Sequence, residues 1–336
     1  VSEHGTGREV RPGIAAAVDC GTNSTRLLIA GPDGAQLARE LHVTRLGEGV
    51  DATHALSPAA IERTVAVLRS YRARMDDFGV SAARVVATSA VRDAANGNVF
   101  LDAAAAALRT PVELLSGEEE GAIAYAGAVS DLDPDAGPYV VLDIGGGSTE
   151  MIGPARVPGG RSGPRAPGGT RAPGGTGALS AASLELGCVR LTERYLHHDP
   201  PLPREVDLAA AAVRRALEDA APALPVPDRG GGPATLVGLA GTVTTLSMLA
   251  HGWETYRWGD VHHSVLELGD VEEWTARLAH EDTATRAGRP GMLEGRADVI
   301  VGGALVLREV MRRFGFARCL VSEADILDGL VESVPR

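Results

Sequence analysis

The same short pattern occurs twice in this chain of 336 residues. Ile14-Ala15-Ala16-Ala17-Val18 runs into Asp19 and a polar loop through Ser24, and a second apolar run follows from Leu27 to Ala30. Tyr139-Val140-Val141-Leu142 likewise ends at Asp143, before Gly145-Gly146-Gly147-Ser148. Aligned on their aspartates, Asp19, Gly21 and Ser24 match Asp143, Gly145 and Ser148. A repeat in this phase predicts two copies of one strand-loop-strand unit rather than one uninterrupted core.

The rest of the sequence alternates strand and helix signals. Ser57-Pro58 offers an N-cap with proline at the first helical position, and Ile61, Val65, Leu68 and Met75 carry an apolar stripe beyond it. Val85-Val86-Ala87 reads as a buried strand, Val99 to Leu108 as an alanine-rich helix, and Pro111 to Leu115 as a strand. The proline, glycine and aspartate of residues 131–138 mark a hinge. The expected class is therefore α/β, with an N-terminal domain over 14–130, a second over 137–320, and a closing strand and helix over 321–333. Residues 153–178, dense in Gly, Pro and Arg with Ala-Pro-Gly-Gly-Thr twice, read as a disordered insertion between two strands. Gly241-Thr242-Val243-Thr244-Thr245 reads as a third glycine-threonine loop leading into a helix.

Charge and composition exclude several functions. A net charge of -12 disfavours a general nucleic-acid binder. All 32 basic residues are arginine, so a Walker A loop and a lysine Schiff base are excluded, and phosphate must be held by arginine and backbone amides. Three widely separated cysteines, Cys20, Cys188 and Cys319, fit a reducing compartment. With no apolar leader at the N-terminus and no membrane-length apolar run, a soluble cytoplasmic protein is expected.

The loops carry the chemistry. Glycines after an aspartate at a strand end let bare N–H groups approach a phosphate. Thr22, Asn23, Ser24 and Ser148 add side-chain donors, and Asp19 and Asp143 stand where they could hold Mg²⁺ or its waters. A pair of plain hairpin turns is the competing interpretation, although hairpins need no hydroxyl-rich loop after a carboxylate. Ser116-Gly117-Glu118-Glu119 has capping-box spacing, so Glu119 has a structural role available, and composition alone does not choose a catalytic member of the glutamate triplet. Arg92, just after a buried strand, could reach the same cleft or pair with Asp93. The pairs His197-His198 and His262-His263 lack an i,i+4 zinc pattern.

These segments together resemble the exopolyphosphatase and guanosine pentaphosphate phosphohydrolase (Ppx/GppA) family, within the actin and hexokinase superfamily. The resemblance runs from about Ile14 to Val331. It is carried by Asp19 to Arg26, Ala87 to Asn96, Ser116 to Gly121, Asp143 to Glu150, and Leu186 to Leu191. It implies two ribonuclease-H-like domains with an active site in the interdomain cleft. It places the general base on Glu120 and a phosphate-facing arginine on Arg92, with Asp143 and Glu150 at the metal and phosphate end. Gly21, Thr22, Asn23, Ser24, Gly145, Gly146, Gly147, Ser148, Gly241 and Thr242 fall on the phosphate loops, and Arg296-Ala297-Asp298 fits the family's late helix. The chain resembles the short two-domain branch. Its closing Ser322 to Gly329 lacks the glycine and arginine of the longer enzymes.

The expected activity is hydrolysis of terminal phosphates from inorganic polyphosphate with Mg²⁺. Guanosine pentaphosphate is the alternative substrate, and a homodimer is left open. An ATP-dependent kinase or ATPase of the same fold would consume ATP without releasing phosphate from polyphosphate. A non-catalytic polyphosphate or alarmone sensor would bind and release nothing.

Overall fold

The structure is a computed structural model, and it describes residues 13–155, 179–221, 223–224 and 234–334. The first half opens with β1 (Ala15–Cys20), β2 (Ser24–Ala30) and β3 (Gln36–Val43). It continues through α1 (Val50–Thr53), α2 (Pro58–Asp77), β4 (Ala82–Ala87), α3 (Ser89–Asp93), α4 (Gly97–Leu108), β5 (Val112–Leu114) and α5 (Gly117–Val129). The second half begins again with β6 (Tyr139–Ile144), β7 (Thr149–Pro154) and β8 (Leu179–Leu184), then α6 (Cys188–Tyr195), α7 (Pro203–Asp219), β9 (Thr235–Leu239) and α8 (Ala240–His251). It closes with α9 (Trp258–Val261), β10 (Val265–Glu267), α10 (Leu268–Ala279), α11 (Thr283–Ala287), α12 (Ile300–Phe314), β11 (Arg318–Val321) and α13 (Ile326–Glu332).

The duplication is explicit in the sheets. The first runs β3-β2-β1-β4-β5, and the second runs β8-β7-β6-β9-β11 with β10 added at its edge. In each, the opening strand is antiparallel to its hairpin partner and parallel to the next strand on its other side. This is the ribonuclease-H-like arrangement, twice. β1 and β6 are central, so every residue of both is buried, which explains their uninterrupted apolar runs. Equivalent register makes Asp19 face Arg26 across one hairpin and Asp143 face Glu150 across the other.

Helices form where the local signals point. Ser57 accepts from Ala60 N at the head of α2, with Pro58 in the first turn, and Leu68, Tyr71 and Met75 are buried beneath it. Ser116 and Glu119 close a reciprocal capping box at the head of α5. Gly153 and Pro154, expected to begin the insertion, still belong to β7 and pair with Ser180 and Leu179, while 156–178 lie outside the described residues. The expected loop at 241–245 is instead the start of α8, which begins at Ala240. The alternation of hydroxyl and apolar residues there suits a buried helix, since Thr244 and Thr245 return their hydroxyls to the carbonyls of Ala240 and Gly241.

The halves exchange helices. α5, from the first half, packs on β6, β7 and β8, and α13, at the end of the chain, packs on β1, β2 and β4. Ala124, Tyr125, Ala128, Ile326, Leu327 and Leu330 join Ala15, Ala17, Val141 and Ile152 in one apolar cluster between the sheets. The closing segment is thus divided, with β11 in the second sheet and α13 against the first. Glycine permits the two helices to touch: a Cβ on Gly127 would lie 1.9 Å from Asp325 O, and one on Gly329 would lie 2.2 Å from Ile123 O.

Gly127→Ala is expected to lower the unfolding free energy by about 1–3 kcal/mol through overpacking of this crossing. Gly269→Ala, whose Cβ would meet nothing within 4 Å, is expected to cost nothing. Urea denaturation of the two variants checks the contrast.

Candidate active site

The two hairpin loops meet face to face. A Cβ on Gly146 would lie 2.9 Å from Thr22 Cβ and 3.2 Å from Asn23 N, so backbone touches backbone only because glycine stands there. Thr22 Oγ1 and Ser89 Oγ share a hydrogen bond of 2.9 Å beneath Gly147. The cleft beside this contact is lined by Asp19, Gly21, Thr22, Asn23, Ser24, Glu120, Asp143, Gly145, Gly146, Ser148 and Gly241. Those eleven of the sequence-derived candidates are brought together.

The others stand apart from that lining. Gly147 packs on Thr22 and Ser89, and Thr242 is buried against Gly303. Glu150 lies behind the cleft, where Ser183 Oγ donates to its Oε1 at 2.8 Å. Arg92 stands behind Glu120, its Nη1 donating to Leu115 O at 3.1 Å and lying 3.9 Å from Glu120 Oε2. It also lies within 3.9 Å of Asp93 and 3.7 Å of Glu185.

The glutamate triplet separates cleanly. Glu119 is spent on the capping box, Glu118 is exposed, and Glu120 turns into the cleft. Glu120 Oε2 is buried and accepts no hydrogen bond. Burial, then the charges of Glu150, Asp19 and Asp143, hold its pKa well above the ordinary carboxylate range. Asp143 is pushed up to about 6, chiefly by burial. Burial also raises Asp19 against the pull of Arg26, and raises Glu150, to which Asp143 adds repulsion.

Two arginines frame these acids. Arg26 Nε and Nη2 both donate to Asp19 Oδ2, at 3.0 and 2.6 Å, while Nη1 reaches Asp325 Oδ2 at 2.5 Å. Asp19 Oδ1 is left buried without a hydrogen bond, and so is Asn23 Nδ2. Arg296, fully buried, donates from Nη2 to Ser24 Oγ at 3.2 Å and has no carboxylate within ion-pair distance among the described residues. Its guanidinium lies so close to Gly241 that a Cβ there would meet Cζ at 2.3 Å. A desolvated cation with no carboxylate within ion-pair distance among the described residues, beside the start of a helix and two amide-rich loops, is an environment suited to an anion. Ala240, at the head of α8, adopts φ +67°, a left-handed conformation that costs a non-glycine residue about 1 kcal/mol.

The donor set also suits a hard divalent cation. Asp19 and Asp143 present carboxylates at matched strand ends, and the orphaned Asp19 Oδ1 lacks any other partner. Asp19, Asp143 and Glu150 do not converge into a closed cage: the only His, Cys, Asp and Glu cluster within 4.8 Å among the described residues is Asp131, His262 and His263. A cation that keeps waters and takes one or two carboxylates plus phosphate oxygens needs no closed cage. The histidine cluster is already committed, because His262 Nδ1 accepts from Glu323 N at 3.1 Å and Nε2 contacts Asp131 at 2.7 Å.

The sequence profile of the Ppx/GppA phosphatase family matches residues 32–334. The chain belongs to this family. Exopolyphosphatase 2 of Mycobacterium tuberculosis (strain ATCC 25618 / H37Rv) is 42% identical over 337 residues, covering 95% of this chain and 98% of that protein. An exopolyphosphatase-like protein of known crystal structure is 33% identical, with a TM-score of 0.85 over 95% of this chain and 98% of that one. The family member of Aquifex aeolicus is 29% identical, with a TM-score of 0.74 over 96% of this chain and 97% of that one.

Family membership makes this chain a phosphatase-family protein and leaves the arginines to be explained by geometry. Arg26 occupies the position in the repeat equivalent to Glu150, but an arginine within a strand carries no site signal alone. Arg296 stands just ahead of α12 rather than within it, far in sequence from every loop it serves. Thr88 and Ser89, inside the Ala87 to Asn96 segment, also line the cleft, though nothing in that segment singles them out.

The raised Asp143 pKa fixes a sign. Its neutral form contributes stability that is fully present below the ordinary carboxylate range and is lost as pH rises through about 6. A bound divalent cation favours the ionised form. The gain in melting temperature on adding Mg²⁺ is therefore expected to be negligible below about pH 5 and to grow up to about pH 7. Thermal melts with and without Mg²⁺ across this range check it, and an equal gain at both ends contradicts it.

Proposed function

We propose that this chain is an exopolyphosphatase that hydrolyses the terminal phosphoanhydride bond of inorganic polyphosphate. The observation that carries the proposal is one cleft holding Glu120, whose buried Oε2 accepts no hydrogen bond, opposite two amide-bearing loops and Arg296, which has no carboxylate within ion-pair distance among the described residues. The name of the 42% identical relative supports the same reading. That no helix among the described residues is long and apolar enough to cross a membrane is compatible with a cytoplasmic location, as are three free, buried cysteines.

The chemistry follows from charge and position. Amides of the Asp19 and Asp143 loops, with Ser24 and Ser148, bind the oxygens of the terminal phosphate, and Arg296 offsets the charge gathering on the departing chain. Glu120 Oε2 takes a proton from the attacking water. The new P–O bond forms as the bridging P–O bond breaks, and the shortened chain leaves with the bonding electron pair. Asp19 and Asp143 would hold Mg²⁺, which would supply further neutralisation of phosphoryl charge. Glu150, with Ser183 on its Oε1, stands behind Glu120, and repulsion between the two carboxylates raises the basicity of Glu120.

A second reading, guanosine pentaphosphate as substrate, is favoured by one specific feature. Beyond Gly241 and Arg296 the cleft continues into a cavity of about 450 Å³ with Tyr256, Trp258 and Glu323 on its walls. Tyr256 and Trp258 are exposed aromatics, and Tyr256 Oη donates to Glu323 Oε2 at 2.6 Å. Aromatic faces with a carboxylate acceptor suit a nucleobase better than a bare polyanion.

Glu120→Gln is expected to lower turnover on polyphosphate by about 10² to 10⁴ while leaving the melting temperature at or above wild type, because it removes a buried charge. Phosphate release from short polyphosphate, long polyphosphate and guanosine pentaphosphate, measured side by side, checks the substrate. Trp258→Ala is expected to lower kcat/KM for pentaphosphate about tenfold and to leave polyphosphate unchanged if the nucleoside reading holds. Unchanged turnover in Glu120→Gln rejects the assignment of the base.

A further inference from the structure

We propose that Asp325 is a positioning residue that acts through Arg26 to keep one oxygen of Asp19 free for a divalent cation. The inference rests on the cation reading of the cleft and deepens it by naming a residue outside the lining that governs it.

A guanidinium and a carboxylate have a preferred way of meeting. Left alone, the two engage as a fork, with two parallel N–H groups each meeting a different oxygen. Arg26 and Asp19 do not. Both donors that reach Asp19, Nε and Nη2, fall on the same oxygen, Oδ2. The other oxygen of this buried side chain has no hydrogen bond at all. Nη1, on the far side of the guanidinium, is held by Asp325 Oδ2 at 2.5 Å.

Asp325 is itself fixed rigidly. It is the N-cap of α13, its Oδ1 accepting from Leu327 N at 2.9 Å, and Asp328 Oδ2 returns the capping box by accepting from Asp325 N at 2.8 Å. Arg39 adds a second cation, 2.5 Å from Asp328 and 3.5 Å from Asp325. The helix that caps with Asp325 is the one the second half lends to the first sheet, so its position is locked by packing against α5, β1 and β2. Arg26 is therefore pulled toward a fixed anchor and cannot rotate to clasp both oxygens of Asp19. Its positive charge is divided between two carboxylates, and Asp19 keeps both a free lone-pair face and net negative charge. This explains why a buried aspartate with an arginine partner retains an orphaned oxygen on the wall of the cleft.

Asp325→Asn separates the charge from the fold, because asparagine is an equally good N-cap and keeps the bond to Leu327 N. Asp328→Asn is the control: it removes the same charge from the same helix end but does not contact Arg26. Mn²⁺ binding to the full chain without substrate, followed by the electron paramagnetic resonance of free Mn²⁺, reads the site directly. The dissociation constant is expected to rise about five- to tenfold in Asp325→Asn and to stay within about twofold in Asp328→Asn. A purely structural role for Asp325 would lower the melting temperature and leave Mn²⁺ affinity unchanged, which overturns the proposal. Equal weakening in both variants also overturns it, since bulk charge would then account for the effect. If the wild type binds no Mn²⁺, the cation reading itself fails, an outcome distinct from either of these.

Discussion

Asp19, Asp143, Glu120 and Glu150 share one buried region in which positive charge is scarce. Arg26 divides itself between Asp19 and Asp325, and Arg92 approaches Glu120 no closer than 3.9 Å. Carboxylates desolvated together resist ionisation, and this raises the pKa of all four. Such a cluster costs folding free energy at neutral pH unless cations or phosphate-bound metal offset it. The surrounding architecture is arranged around that cost: two fully buried strands deliver the aspartates, a capped helix delivers Glu120, and the glycines of the two loops leave room for an anion between them.

Duplication makes the arrangement economical. One hairpin design, used twice with the same register, places a carboxylate at each central strand end and a second polar residue opposite it. In the first copy that second residue is Arg26, in the other it is Glu150. The asymmetry turns two equivalent turns into one site with a cationic side and a basic side. The exchange of α5 and α13 between sheets then ties the halves together, so that the helix carrying Glu120 is seated on the sheet carrying Asp143 and Glu150. Relative motion of the halves would move Glu120 with one set of carboxylates and away from the other.

Beyond the cleft, the aromatic walls and mixed charge of the adjoining cavity bear on what could extend from an anion in the cleft. A long polyanion gains little from Glu323 and the exposed aromatics, whereas a compact group with hydrogen-bond donors and a π face gains contacts there. The loop-lined cleft and the aromatic-walled cavity therefore differ in chemistry, and Arg296 lines both.

Periodicity, caps and the repeated Asp-Gly pattern were enough to show two α/β units, the strand ends that bear Asp19 and Asp143, and the helix start that bears Glu120, because each is a local matter of burial and backbone chemistry. The resemblance carried by those motifs then selected Glu120 among three adjacent glutamates, which composition could not do. Gly241-Thr242 looked like a loop because glycine and threonine are turn-formers in isolation, and only burial against Gly303 and Arg296 makes them helical. Arg26, Arg296 and Asp325 had no legible role, since each acts on a partner from another part of the chain. Local sequence determined which elements form and where carboxylates and bare amides stand on them. Tertiary structure alone decided which charges meet in the cleft and which are left without a partner, because an ion pair depends on distances that no stretch of sequence contains.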